Sequence, residues 1–169
     1  MPQSEKSSPP APHPFALALF QPDIPQNTGT IIRMAACLAI PVHIIEPAGF
    51  PVSDRAFRRA GMDYLDAATL HRHVAWEAFE DWRRSIGARL VLATTRAATP
   101  YARFDFAQGD VLLLGRESAG VPDAVHDRAD ARVVIPMHPP LRSLNLAVSA
   151  AMLAGEALRQ LDGYAKVTE

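Results

Sequence analysis

Val111-Leu-Leu-Leu-Gly-Arg-Glu-Ser-Ala-Gly-Val-Pro122 is the stretch that sets the fold class. Its first four residues are apolar without alternation, the pattern of a strand covered on both faces, as in a parallel sheet. Gly115 to Pro122 then form a turn carrying a carboxylate, a hydroxyl and two glycines. Turns at the C-terminal edge of parallel strands build the ligand crevice of an open α/β sheet. Two further stretches have the same character. Asn27-Thr-Gly-Thr-Ile-Ile-Arg33 follows the apolar run Phe15–Phe20, and Ile135-Pro-Met137 with Arg142-Ser-Leu-Asn-Leu146 follows Arg132–Ile135. Three such turns in one short chain point to a single composite site.

Working outward, Val42–Glu46 and Arg89–Thr94 complete a set of five strands. Between them lie helical segments. Asn27–Ala39 has Asn27 placed as an N-cap. Ser53–Ala60 opens with Ser-Asp. Ala75–Ser85 carries Trp76, Phe79 and Trp82 on one stripe read as core, and Val121–Ala129 has Pro122 near its first turn. The alternation predicts an α/β fold, a mainly parallel sheet with helices on both faces. The last helix, about Leu144–Leu161, is apolar on nearly every side of its first half, so it should be buried all round. A small sheet covers one face only, which makes a second copy of the chain the expected cover and the protein a homodimer.

The 169 residues suffice for one hydrophobic core. Residues 1–14 hold five prolines, three serines and no apolar stretch, which reads as a disordered tail rather than an export signal or membrane anchor. One domain is expected over 15–161, followed by a short tail at 162–169. The lone cysteine, Cys37, excludes an internal disulfide and a cysteine metal cluster, consistent with a reducing cytoplasm. Its apolar neighbours predict a buried, inert thiol. A net charge of −1 argues against a protein that coats nucleic acid over its whole surface, yet allows a local basic face. Arg55, Arg58, Arg59, His71, Arg72 and His73 are candidates for that face, or for an ordinary solvated helix.

Several chemistries fail on the residues themselves. Neither nucleotide-phosphate glycine motif is present. His71-x-His73 lacks a third metal ligand in the sequence, so no metal site is expected. Arg116-Glu-Ser118-Ala-Gly120 departs from the Gly-x-Ser-x-Gly turn of serine hydrolases, because arginine stands where the first glycine is required.

What the three stretches do match is the SPOUT class of RNA 2'-O-methyltransferases. The chain resembles most closely the small single-domain tRNA (cytidine/uridine-2'-O)-methyltransferases of the wobble position. The motif Asn-x-Gly-x-x-x-Arg is present as Asn27, Gly29 and Arg33. Gly-x-Glu-x-x-Gly-[Val/Leu]-Pro is present as Gly115, Glu117, Gly120 and Pro122, and Ile-Pro-Met … Ser-x-Asn-[Leu/Val] as Ile135, Pro136, Met137, Ser143, Asn145 and Leu146. The similarity runs from about Phe15 to Leu161. It includes Gln21-Pro-Asp-Ile-Pro-Gln-Asn27, Ile44-Ile-Glu-Pro47 and Arg58-Arg-Ala-Gly-Met-Asp-Tyr64.

The resemblance implies a C-terminal deep trefoil knot, a dimer with its active sites near the interface, and S-adenosylmethionine as cofactor. By that likeness Ala93, Gly115, Ile135 and Ser143 hold the cofactor, with Thr94, Leu114, Met137 and Leu144 beside them. Arg33, Glu117, Asn27 and Asn145 are the implied catalytic set. A guanidinium stays protonated in proteins, so Arg33 suits an oxyanion or a phosphate better than a base's role. Glu117 is free to accept a proton or to orient Arg33. Asn27 and Asn145 can hydrogen-bond the ribose or fix the loops; Asn27 reads equally as a helix cap, and Asn145 less so, because Ser143 could fill that place. Arg142, Arg55, Arg58 and Arg59 are expected on tRNA phosphates, each contact adding salt dependence. The competing readings are a methyltransferase of ribosomal RNA, an RNA-binding module that has lost catalysis, and a flavodoxin-like small-ligand binder.

Overall fold

In the computed structural model, residues 13–59 and 64–168 are described. Most of the expected N-terminal tail, and Ala60-Gly61-Met62-Asp63 of the resemblance, lie outside them. Six strands form one sheet: β1 (Phe15–Phe20), β2 (Val42–Ile45), β3 (Leu70–His73), β4 (Leu90–Ala93), β5 (Asp110–Leu114) and β6 (Ala131–Val133). Their order is β3-β2-β1-β5-β4-β6, and every pairing is parallel. Five helices accompany them: α1 (Pro25–Leu38), α2 (Asp54–Arg59), α3 (Trp76–Ser85), α4 (Asp123–Arg128) and α5 (Leu146–Gln160).

The unbroken apolar runs are explained by two cores, one on each face of the sheet. Leu17, Leu19, Leu112 and Leu114 pack against Ile31, Ile32 and Ala35 of α1 and Ala150, Leu153, Ala154 and Ala157 of α5. The alternate residues, Ala18, Phe20, Val111 and Leu113, pack against Phe79 of α3 and Val125 of α4. Both faces of β1 and β5 are then apolar, because successive side chains point to opposite faces; the exception is Asp110 at the entry to β5, which is paired with Arg89 at 2.8 Å. Trp76 and Trp82 flank Phe79 at the margin of the second core, partly buried.

Helix α1 begins two residues before the expected Asn27 cap. Pro25 takes the first helical position and holds Ile24 extended (φ −115°, ψ 106°), so the start is set by proline geometry with no side-chain cap. Asn27 is thereby released from capping. Cys37 proves exposed, against the expectation of a buried thiol. It falls on the stripe Thr30, Arg33, Cys37, spaced three and four apart, which faces away from both β-strands and α5. Helix α5 is buried on one side only: Val148, at 48% exposure, and Ala151 are open, so it is not enclosed all round within one chain. Past it the chain stays attached, with Tyr164 Oη donating to Gly155 O at 3.3 Å.

Strand β3 replaces the helix face expected for His71–His73. It is an edge strand with two histidines and an arginine, a composition that discourages edge pairing and hides the strand from an apolar pattern. His71 and His43 lie in register on β3 and β2, their rings stacked at 4.6 Å. His43 Nδ1 is 2.9 Å from His73 Nε2, and its ring is 4.0 Å from that of Trp82. His43 is 2% exposed. That burial, then the neighbouring His71 and His73, lower its pKa from 6.5 to about 3. The unfolded chain therefore takes up a proton near pH 6.5 that the folded chain refuses until about pH 3. Stability from this residue is complete above pH 6.5 and drains away as pH falls towards 3. At 1.36 kcal/mol per pH unit, roughly 2–3 kcal/mol is lost by pH 4.5. Urea unfolding at pH 7 and 4.5 should show His43→Leu to be less acid-sensitive than the parent by that amount.

Among the described residues no helix is long and apolar enough to cross a membrane.

Candidate active site

The sheet order reverses between β1 and β5: β2 and β3 extend one way, β4 and β6 the other. A crevice is expected beyond the C-terminal ends of the strands at such a switch. There the chain leaving β1 meets the chain leaving β5. Arg116 Nη2 donates to Gln21 Oε1, and the Asp23 amide donates to Glu117 Oε2 at 3.1 Å. Beside this junction a cavity of about 810 Å³ opens over the ends of β5, β4 and β6. Its size is within the usual range for small-molecule sites.

The turn after β5 is closed on itself. Arg116 N donates to Gly120 O at 3.0 Å and Gly120 N to Arg116 O at 2.8 Å. Gly120 sits at φ +63°, and a Cβ on Gly115 would lie 2.6 Å from Gly120 C and 2.7 Å from its Cα. Gly115 is thus required first by the turn itself, since the backbone approaches where a side chain would stand. Ser118 Oγ donates to Asp23, and not to a histidine as a hydrolase nucleophile would.

Asn27, Glu117 and Asn145, separated by 90 and 118 positions, are joined in one hydrogen-bonded line. Asn145 Nδ2 donates to Asn27 Oδ1 at 2.9 Å, and Asn27 Nδ2 donates to Glu117 Oε1 at 3.3 Å. At its far end Asn145 Oδ1 accepts from Ala147 N (2.9 Å) and Val148 N (3.3 Å), capping α5. Both amides therefore have one possible orientation each, fixed by what they must donate and accept. Asn145 serves as cap and as site residue at once. Burial, and then the side chain of Asp23, raise the Glu117 pKa above the ordinary glutamate value, with Asn27 opposing.

The cavity wall gathers most of the residues singled out by sequence. Ala93 and Thr94 come from the end of β4, Leu114, Gly115 and Glu117 from β5 and its turn, and Ile135, Met137, Arg142, Ser143 and Leu144 from the segment between β6 and α5. Asn27 and Asn145 complete it. Arg116 also lines it, as does Arg96, which the sequence did not single out and which pairs with Asp123 at 3.1 Å. Arg33 does not line the cavity. Six residues along a helix turn a side chain by roughly 240° and advance it by about 9 Å, so Asn27 and Arg33 cannot face one point. Arg33 instead lies over the Tyr64 ring at 4.7 Å and donates to Tyr64 Oη at 3.3 Å. Arg55, Arg58 and Arg59 are exposed on α2, away from the cavity wall, with Arg58 bound to Asp66. Asp23 was also missed, though it stands within the Gln21–Asn27 phrase of the resemblance.

Residues 14–155 match the family model described as the SpoU rRNA Methylase family. The chain belongs to the SpoU methylase family. Among curated relatives, this SpoU methylase is 64% identical over 153 residues to a protein of Beijerinckia indica named tRNA (cytidine(34)-2'-O)-methyltransferase, covering 90% of this chain and 96% of that one. A protein of the same name from Aeromonas hydrophila is 41% identical, covering 88% and 95%. Among solved structures, one described as giving structural insights into the 2-OH methylation of C/U34 on tRNA superimposes with a TM-score of 0.82 at 42% identity, covering 90% of this chain and 99% of that chain. The SpoU methyltransferase AviRb of Streptomyces viridochromogenes, solved with the cofactor AdoMet, gives 0.78 at 32% identity, covering 90% of this chain and 63% of its own. SpoU methylases use S-adenosylmethionine, and the cavity suits it. Leu114, Ile135, Met137 and Leu144 supply apolar walls, while strand-end backbone and Ser143 supply polar groups.

Proposed function

We propose that this SpoU methylase transfers a methyl group from S-adenosylmethionine to the ribose 2'-hydroxyl of the tRNA wobble nucleotide, a cytidine or modified uridine in the anticodon loop. The observation that carries the reading is the Asn145–Asn27–Glu117 line at the cavity wall, in which all three motifs meet. The relatives' shared name adds the substrate. Ala93, Thr94, Leu114, Gly115, Ile135, Met137, Ser143 and Leu144 would hold the cofactor, which when bound supplies an electrophilic sulfonium methyl.

The chain must then hold the ribose in line, take one proton and steady the oxygen that loses it. Positioning alone is worth up to roughly 7–11 kcal/mol in well-oriented systems. Glu117 is the proton acceptor, its raised pKa bringing it nearer the operating pH. Asn27 and Asn145 fix it and the sugar. Arg33, beyond the cavity, is better placed for a phosphate of the overhanging RNA than for the reacting oxygen. Arg142 at the cavity, with Arg55, Arg58 and Arg59 on α2, serves neighbouring phosphates.

The protein works as a cytoplasmic homodimer, its domain spanning about 15–161. The open face of α5, with Val148 and Ala151, and the nearby Leu141 and Leu144, exposed by 75% and 41%, would be covered by the second copy. A trefoil knot accords with the path of the segment after β6. Val134 bonds on both sides to the 94–101 loop (Val134 N to Thr99 O and Tyr101 N to Val134 O, both 2.9 Å) before α5 returns to pack on α1.

Incubating purified protein with S-adenosylmethionine and tRNA, then mapping ribose methylation by mass spectrometry, should place one methyl at nucleotide 34. A 2'-deoxy nucleotide there should abolish it. Methylation of ribosomal RNA in place of tRNA would overturn the substrate.

A further inference from the structure

Asp23 lies ahead of α1 and outside the cavity wall, directly behind Glu117. Its amide donates to Glu117 Oε2 at 3.1 Å, which sets the two carboxyl groups side by side within hydrogen-bonding range. Ser118 Oγ donates to Asp23 Oδ2, while Oδ1 is buried with no donor among the described residues. The turn after β2 closes over the rear of Asp23. Gly49 N donates to Pro22 O at 2.9 Å, and a Cβ on Gly49 would meet Asp23 Cα and Cβ at 3.0 Å. Asp23 is thus held from behind and capped on one oxygen, with the other oxygen buried and without a donor among the described residues. A buried acceptor without a donor is rare in folded proteins and calls for an explanation. A carboxylate acquires a donor when the carboxyl beside it becomes protonated.

We propose that Asp23 is a positioning residue for the proton of the reaction: once Glu117 has taken the ribose proton, the new carboxyl O–H is held by Asp23 Oδ1. This rests on the methyl-transfer reading above. The ribose O–H bond breaks, an O–H bond forms on Glu117, and the freed oxygen pair bonds the transferred methyl, whose former bonding pair stays with sulfur. Nothing is oxidised or reduced beyond that exchange. The pair is split as this role requires: Asp23 is lowered, by Glu117 first and Ser118 second, while Glu117 is raised. Among the described residues, the groups facing Glu117 are Asp23 and Asn27. Ser118 reaches Asp23 from the same turn, and the adjacent Arg116 is bound to Gln21.

Titrating Glu117 in cofactor-free protein by carbon-13 NMR, with the signal assigned through Glu117→Gln, tests the pair apart from activity. The parent should titrate above the ordinary glutamate value. Asp23→Asn replaces a charge by an amide that can donate to the carboxylate, so Glu117 should titrate at least about one pH unit lower. Asp23→Glu should retain the raised value. In tRNA methylation, the acid limb of kcat/KM for Asp23→Asn should move down in pH by the same interval. The plateau should fall about three- to tenfold, as a weaker base implies. An unchanged Glu117 titration in Asp23→Asn, or an ordinary value in the parent, overturns the proposal. A parent that titrates as described yet methylates no tRNA counts against the proposed substrate while upholding the shared proton.

Discussion

Glu117→Gln is expected to slow single-turnover methyl transfer to tRNA by about 10²–10⁴-fold, the usual contribution of a positioned general base. The substitution is nearly isosteric. Its Oε1 can still accept from Asn27 Nδ2, so the amide line to Asn145 and the α5 cap should survive. What it loses is basicity, together with the acceptor for the Asp23 amide, since an NH2 group replaces Oε2 there. S-adenosylhomocysteine affinity, measured by calorimetry, should stay within about threefold of the parent, because Glu117 acts on the ribose oxygen, whose charge develops only as methyl transfer proceeds. A rate within tenfold of the parent would remove Glu117 from the role of proton acceptor. With the parent protein, activity should decline on acidification at a higher pH than a free glutamate would dictate. The carboxylate is the active form, and burial has raised its pKa.

Gly115→Ala should be the most damaging single-methyl change in the turn after β5. The added carbon would sit 2.6–2.9 Å from three backbone atoms of Gly120, and backbone cannot step aside as a side-chain end can. The two hydrogen bonds between residues 116 and 120 would have to open, taking the cavity wall and the Glu117 carboxylate with them. We expect S-adenosylhomocysteine binding to weaken at least about 100-fold, or about 3 kcal/mol, with a lower melting temperature. Gly120→Ala is the internal control. Its Cβ would meet nothing within 4 Å, so it bears only the strain of φ +63°, roughly 1–2 kcal/mol. Equal damage from the two changes would mean that the close approach at Gly115 is not what the site requires.

Much of this architecture is legible in the residues, and the misses have identifiable causes. The five runs are legible as strands because two-sided burial makes them mostly apolar, with His43 of β2, stacked on Trp82, and Arg132 of β6 as polar members. By the same logic β3 escaped detection: an edge strand covered by one neighbour tolerates His71, Arg72 and His73. Asn27 reads as a cap because Asn caps helices often. Pro25, two residues earlier, decides the start instead and frees the amide for the site. Arg33 shares a motif with Asn27 but not a direction, since the motif is linear and the helix is not. The contact of Asp23 with Glu117 joins residues 94 positions apart, and no local pattern announces it.

The hydrogen-bonded line from Asn145 through Asn27 to Glu117 also dictates when the protein becomes competent during synthesis. A nascent chain that has emerged only as far as the turn after β5 holds Asn27 and Glu117 but has nothing to fill Asn27 Oδ1 or to fix which way that amide faces. The orienting donor arrives with Asn145, immediately before the final helix. A copy translated only to that turn therefore carries an unset amide, and the reaction centre is complete only once Asn145 has joined Asn27.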